Sequence, residues 1–191
     1  MEAEVYLDRT LAKYAPSYDL TVPFTGGGVS FEAYGHYLTQ DEKYVLTRRA
    51  NLWRVRGHEH IVFRIVDDFA DEDIRNAEQW IEAYMEPELV RGGARYPEKD
   101  HMVSYLTFVF ISRCTPDEAA LKTVQGFRLE KDYLFTLRGH SKARMVCVDT
   151  EREAVFTNKA GRALKQSFLS TFAEVHKGLK GYHRLYCEQT E

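Results

Sequence analysis

The spacing of apolar and polar positions changes several times along the chain, and each change marks an element. From Glu2 to Tyr14 the apolar residues Ala3, Leu7, Leu11 and Tyr14 share one helical face, which predicts a short helix closed by Pro16. Thr25-Gly-Gly-Gly28 reads as a turn or hinge, because three successive glycines carry high backbone entropy. From Val29 the period becomes two. Val29, Phe31, Ala33 and Tyr37 alternate with Glu32, Tyr34 and His36 in a first strand ending near Gln40. A second strand is predicted from Lys43 to Arg56, turning at Gly57, and a third from His60 to Val66. Three strands with short connections predict an antiparallel meander.

Asp67-Asp-Phe-Ala-Asp-Glu-Asp73 opens the next helix, its carboxylates gathered where the helix dipole favours them. Ile74, Ala77, Ile81, Tyr84 and Met85 form its apolar stripe, and Pro87 and Arg91-Gly-Gly93 end it. Met102 to Ser112 is apolar on both alternating faces, so it is expected to be a central strand covered on both sides. Thr115-Pro-Asp-Glu118 starts a short helix ending at Gly126. Strands follow at 132–138, 142–149 and 154–157, and a last helix begins near Asn158 with Leu164, Phe168, Phe172 and Val175 on one face. The expected fold is a single α+β domain with a mainly antiparallel, twisted sheet of six or seven strands flanked by three or four helices. Residues 1–28 form an N-terminal helix and hinge, 29–177 the domain, and 178–191 a polar tail. The order helix, three strands, helix, strand also matches the core order of restriction-endonuclease-like folds, an analogy of topology that licenses no function.

Composition narrows the class without naming an activity. With 44% hydrophobic, 13% aromatic and 29% charged residues among 191, the chain has the means to build a core and is not disordered. No apolar stretch approaches the roughly 18–20 residues of a membrane span. The acidic start Met1-Glu-Ala-Glu-Val5 lacks the pattern of a secretory signal. Cys114, Cys147 and Cys187 form neither a disulfide framework nor a zinc knuckle, so a reducing cytoplasm is expected, with Cys147 a buried, inert thiol. The net charge of −3 excludes a generally basic nucleic-acid binder but averages two opposed segments. Residues 43–64 hold six basic residues against one acid, and residues 67–88 nine acids against one arginine.

Those basic residues supply the candidate chemistry. Arg48 and Arg54 fall on one face of the second strand, and Arg138, His140, Lys142 and Arg144 alternate around Gly139. Together they are the expected anion-binding set, because guanidinium forks pair with the oxygens of phosphates and carboxylates. The plainer explanations are an acidic helix neutralising the basic strand and a polar hairpin turn at 138–144. Arg91-Gly-Gly-Ala-Arg95 is a third, weaker cluster. His58 and His60 have the spacing that puts two imidazoles on one strand face, with His36 or His101 as a third ligand from elsewhere. Since they sit at a predicted turn, no metal site and no cofactor is assigned. A binding or interaction module with an arginine-lined surface is the leading expectation, its partner an anionic ligand or a nucleic acid. The rivals are a metal-dependent nucleic-acid-processing enzyme holding its ion on Glu32, Asp41 or Asp67, and a homodimer joined through a sheet edge.

Four segments carry a resemblance: Lys43-Tyr-Val-Leu-Thr-Arg-Arg-Ala-Asn-Leu-Trp53, His101-Met-Val-Ser-Tyr105, Phe135 to Asp149, and Val155-Phe-Thr-Asn-Lys-Ala-Gly161. They resemble an uncharacterised family, a domain of unknown function found in bacteria and archaea. The resemblance covers roughly Ser30 to Phe168 and leaves both termini outside. Its motifs are not catalytic signatures, so no functional residues carry over. It implies a small cytoplasmic single-domain protein and assigns no activity.

Overall fold

A computed structural model describes residues 1–42 and 54–187, with backbone only at 40–42 and 54–56. In chain order the elements are α1 (Ala3–Tyr14), β1 (Asp19–Thr21), β2 (Phe24–Gly26), β3 (Val29–Phe31), β4 (Ala33–Glu42), β5 (Arg54–Val66) and α2 (Asp71–Trp80). Then come β6 (His101–Ser112), α3 (Glu118–Gly126), β7 (Glu130–Asp132), β8 (His140–Asp149), β9 (Ala154–Thr157) and α4 (Lys165–His176). α2 does not stop at Pro87 but continues as a π-helix over Ile81–Val90. A proline ring clashes with the carbonyl four residues back in an α-helix, and the wider winding relieves that clash.

The main sheet runs β1-β4-β5-β6-β8-β7, with β9 also on β8, and β2–β3 form a separate hairpin. The seven-stranded α+β architecture and the central place of β6 agree with the pattern, but the sheet is mixed rather than mainly antiparallel. β5 pairs with β6, and β6 with β8, in parallel along their length. The reason lies in the connections, since residues 67–100 with α2 and residues 113–139 with α3 are each long enough to carry the chain back to the start of the next parallel strand. Apolar residues on both faces of β5, β6 and β8 were the mark of parallel strands with helices above and below. The expected turn at Gly57 is absent. β5 passes through Gly57 with only a register irregularity there, so His60 to Val66 is not a separate strand. The first strand instead breaks at Glu32, whose N–H donates to Phe63 O. The triple glycine is the turn of the β2–β3 hairpin, with Gly27 and Gly28 at positive φ, and Trp80 Nε1 donates to Gly26 O at 2.9 Å to fix it to α2.

Two cores sandwich the sheet. On one face Val62, Leu106, Phe108, Phe110, Met145 and Cys147 pack against α2, α3 and the hairpin. On the other, Ile61, Phe63, Val109, Ile111, Val146 and Val148 pack against α1 and α4. α1 is integral to this second core: Tyr6 is fully buried and its hydroxyl donates to Phe168 O at 2.7 Å. Burying each such side chain contributes roughly 1.5–3 kcal/mol. Among the described residues no helix is long and apolar enough to cross a membrane.

Candidate functional site

Alternation along the strands assigns each polar candidate to a face. On the outer edge of β8, β7 pairs with residues 140–142 and β9 with 146–149, leaving a gap between them. Ala143 N–H there donates to Leu129 O at 2.9 Å. Buried Asn158 serves the rest: its Nδ2 donates to Ala143 O at 3.1 Å and its Oδ1 accepts from Met145 N at 3.1 Å. Beside this gap opens a cleft of about 670 Å³ lined by Tyr105, Arg128, Glu130, Lys142, Arg144 and Lys159, together with the end of α3. Arg144 points to the α1/α4 face, where its Nη1 lies 2.9 Å from Glu59 Oε1 and its guanidinium carbon 3.4 Å from the Tyr105 ring centre. Its Nε is buried without a hydrogen-bond partner among the described residues. Lys142 Nζ is 2.8 Å from Glu130, which Arg128 also approaches at 3.4 Å.

The structure thus brings Lys142 and Arg144 to one cleft and adds Arg128 and Lys159, which no spacing in the sequence singled out. His140 begins the same strand on the same side. Arg138 belongs to the preceding turn, where its Nη1 donates to Pro97 O at 2.9 Å. The backbone of Arg54 lies at the same end of the sheet as His140, because Gly57, Val103 and His140 are in register across β5, β6 and β8. Arg48 lies outside the described residues, and with it the question of whether the basic segment faces α2. The predicted strand at 132–138 is mostly a turn: only Glu130–Asp132 pairs, and Leu134, Phe135 and Thr136 all have positive φ. Arg91 is taken up by Glu86, through contacts of 2.7 and 3.1 Å. Burial alone would raise the Glu86 carboxyl, but hydrogen bonds from Arg91, Lys131 and Tyr133 hold it below its ordinary value.

The opposite face, under α2, carries a row of histidines. His36 and His60 are direct cross-strand partners on β4 and β5, and His58 lies two residues along β5, opposite Leu38. One nitrogen of each lies within 4.8 Å of the others, and His36 Nε2 is 3.1 Å from His58 Nδ1. Their ring planes agree within 9°. His60 is only 3% exposed; its Nδ1 is 2.7 Å from the Tyr34 hydroxyl, and its Nε2 is buried with no partner among the described residues. Burial, with His36, His58 and His101 adding to it, pushes the His60 imidazole down to about 3, and burial lowers His36 too. His101 stacks beyond His58 at 6.2 Å, but both its nitrogens are engaged, Nδ1 with Arg138 O at 2.8 Å and Nε2 with Ser104 Oγ at 2.9 Å. The sequence offered His58 and His60 with His36 or His101 as alternatives. Only the β4–β5 register selects His36, and the misread turn at Gly57 hid it.

The carboxylates of the nucleic-acid-processing reading lie apart. Glu32 Oε2 accepts from Ile65 N at 3.1 Å at one end of β4, and Asp67 pairs with Arg113 Nε at 2.9 Å near the same end. Asp41 is the ninth residue of β4, opposite Val55, so roughly 30 Å of extended chain separates its backbone from Glu32. Glu32 and Asp67 thus lie toward one end of β4 and the backbone of Asp41 toward the other.

No curated protein and no solved structure matches the sequence. One family model does, over residues 2–170, which takes in α1 and every strand of both sheets and so begins well before the Ser30 boundary of the sequence resemblance. By that span the chain belongs to a domain-of-unknown-function family, DUF8052.

Proposed function

We propose that the protein is a binding module whose ligand is a small oxyanion, a phosphate, sulfate or carboxylate group, received in the cleft between β7 and β9. The observation that carries this reading is the convergence of Arg128, Lys142, Arg144 and Lys159 on one cleft against the carboxylate of Glu130. Arg144 is held in place by Glu59 and Tyr105 before any ligand arrives, so little side-chain freedom is lost on binding. Its unsatisfied Nε–H gains from an acceptor, because a buried donor without a partner costs about 1–3 kcal/mol. Lys142 and Arg128 share one carboxylate and keep donor capacity to spare.

The test is a titration of the full chain with inorganic phosphate, followed by amide chemical shifts in two-dimensional NMR. Saturable shifts at 128–130, 142–144 and 158–160 are expected, weakening with added sodium chloride. Lys142→Gln and Lys159→Gln should each weaken binding about tenfold. Shifts that never saturate, or a Kd that neither substitution moves, would reject the cleft as the site.

A further inference from the structure

We infer that His36, His58 and His60 together bind one divalent transition metal ion of the zinc class. The site lies on the α2 face, whereas Lys142 and Arg144 point to the other, so it stands or falls independently of the anion cleft.

Geometry comes first. Zinc–imidazole bonds of about 2.0–2.1 Å in a tetrahedral arrangement place ligand nitrogens about 3.3 Å apart. His36 Nε2 and His58 Nδ1 already lie 3.1 Å apart, and the third nitrogen is within 4.8 Å of both. His60 is fixed in the core at 3% exposure, while His36 and His58 are half-buried on the rim. Closure of the remaining gap therefore falls on the two side chains with room to rotate.

His60 supplies the second argument. Its Nε2 is removed from water and has no hydrogen-bond partner among the described residues, an arrangement that is unfavourable unless something fills it. Its other nitrogen meets the Tyr34 hydroxyl at 2.7 Å, and Tyr34 is itself stacked on Phe24 with ring centres 4.6 Å apart. When Nδ1–H donates to that hydroxyl, Nε2 is the nitrogen that carries the free lone pair. An outer partner that fixes the tautomer of a ligating histidine is the common companion of metal sites.

Ligand chemistry then selects the metal. Three neutral imidazoles suit zinc, cobalt, nickel or copper, whereas magnesium and calcium require oxygen. His101, with both nitrogens engaged, forms a wall of the site and not a fourth ligand. Three protein donors leave the fourth tetrahedral position to water or to a small ligand arriving from the exposed rim.

The experiment uses the full chain after treatment with a chelator and its removal. Zinc is titrated by calorimetry, and cobalt by its visible absorption, which is intense only for tetrahedral coordination. One equivalent is expected to bind, with magnesium unable to compete. His36→Ala and His58→Ala, both at rim positions, should each weaken zinc at least a hundredfold and abolish the cobalt spectrum. His60→Ala removes a core side chain and risks the fold, so Tyr34→Phe is the second arm. It keeps the ring and its packing, and should weaken zinc about 10–100-fold. His176→Ala, at the exposed His176–Glu153 pair, should leave affinity unchanged. Absence of stoichiometric binding, or binding that survives both His36→Ala and His58→Ala, would overturn the assignment, the latter by showing adventitious binding elsewhere.

Discussion

Arg144 and His60 occupy comparable positions, one on each face of the sheet, and physical chemistry treats them in opposite ways. Arg144 stays charged in a nearly buried place because Glu59 and the Tyr105 ring compensate its charge. Among the described residues His60 has no such partner, and burial keeps it neutral. The consequence is a dependence on pH. An unfolded imidazole titrates near 6.5 and the folded one near 3, so between those values the unfolded chain holds the extra proton. The stability tied to neutral His60 is complete above pH 6.5 and is lost as pH falls toward 3. Urea midpoints of the metal-free protein should therefore decline steadily from pH 6.5 to 4, and His60→Gln should flatten that decline by close to one proton. Equal slopes in the two proteins would contradict the role given to His60. Both residues were visible in the sequence as chemistry-bearing types, but their partners came from far along the chain, Tyr34 at 26 positions from His60 and Glu59 at 85 from Arg144.

At the scale of elements, the turn between β7 and β8 shows how far tertiary contacts override local preference. Leu134, Phe135 and Thr136 sit consecutively at φ of 49°, 53° and 69°, which costs roughly 1–2 kcal/mol per residue for a side chain with a Cβ. The turn is held by Tyr133 N–H to Gly139 O at 3.0 Å, by the Arg138 contacts to Pro97 and His101, and by Gly139, where any Cβ would run into the Met102 carbonyl. Phe135 is 95% exposed and contributes no packing in return. Phe135→Asn, which tolerates the left-handed region, should thus raise stability by about 0.5–1 kcal/mol, read as a higher urea midpoint. No gain, or a loss, would mean that the turn is not strained as described. Apolar letters at 133–137 looked like a strand because alternation cannot distinguish a side chain facing a core from one facing water. α3 shows the converse, a local signal read nearly right: within the expected start Thr115-Pro-Asp-Glu118 the capping residue is Asp117, whose Oδ1 accepts from Ala120 N–H at 2.6 Å.

For the molecule as a whole, the parallel strands at the centre explain which groups solvent reaches. β6 and β8 are covered on both faces, so Cys147 is fully buried and its thiol is pushed up by burial. Cys114 and Cys187 are exposed. A disulfide-exchange reagent should modify two of the three thiols in the native protein and the third only on unfolding, at the rate of global opening. Rapid modification of all three would show that the α2 face opens more readily than its packing implies.

The sequence by itself determined the period of each segment, the class of the fold, the central place of β6, the burial of Cys147 and the residue types available for chemistry. These depend on local spacing and on the transfer of apolar surface from water, both of which are written along the chain. It did not determine strand direction, the continuity of β5 through Gly57, or which histidine joins His58 and His60. Those follow from crossovers and register, where one residue of slip turns every side chain to the other face. Only the folded sheet placed His36 opposite His60, and only the gap between β7 and β9 gathered Arg128, Lys142, Arg144 and Lys159 around one cleft.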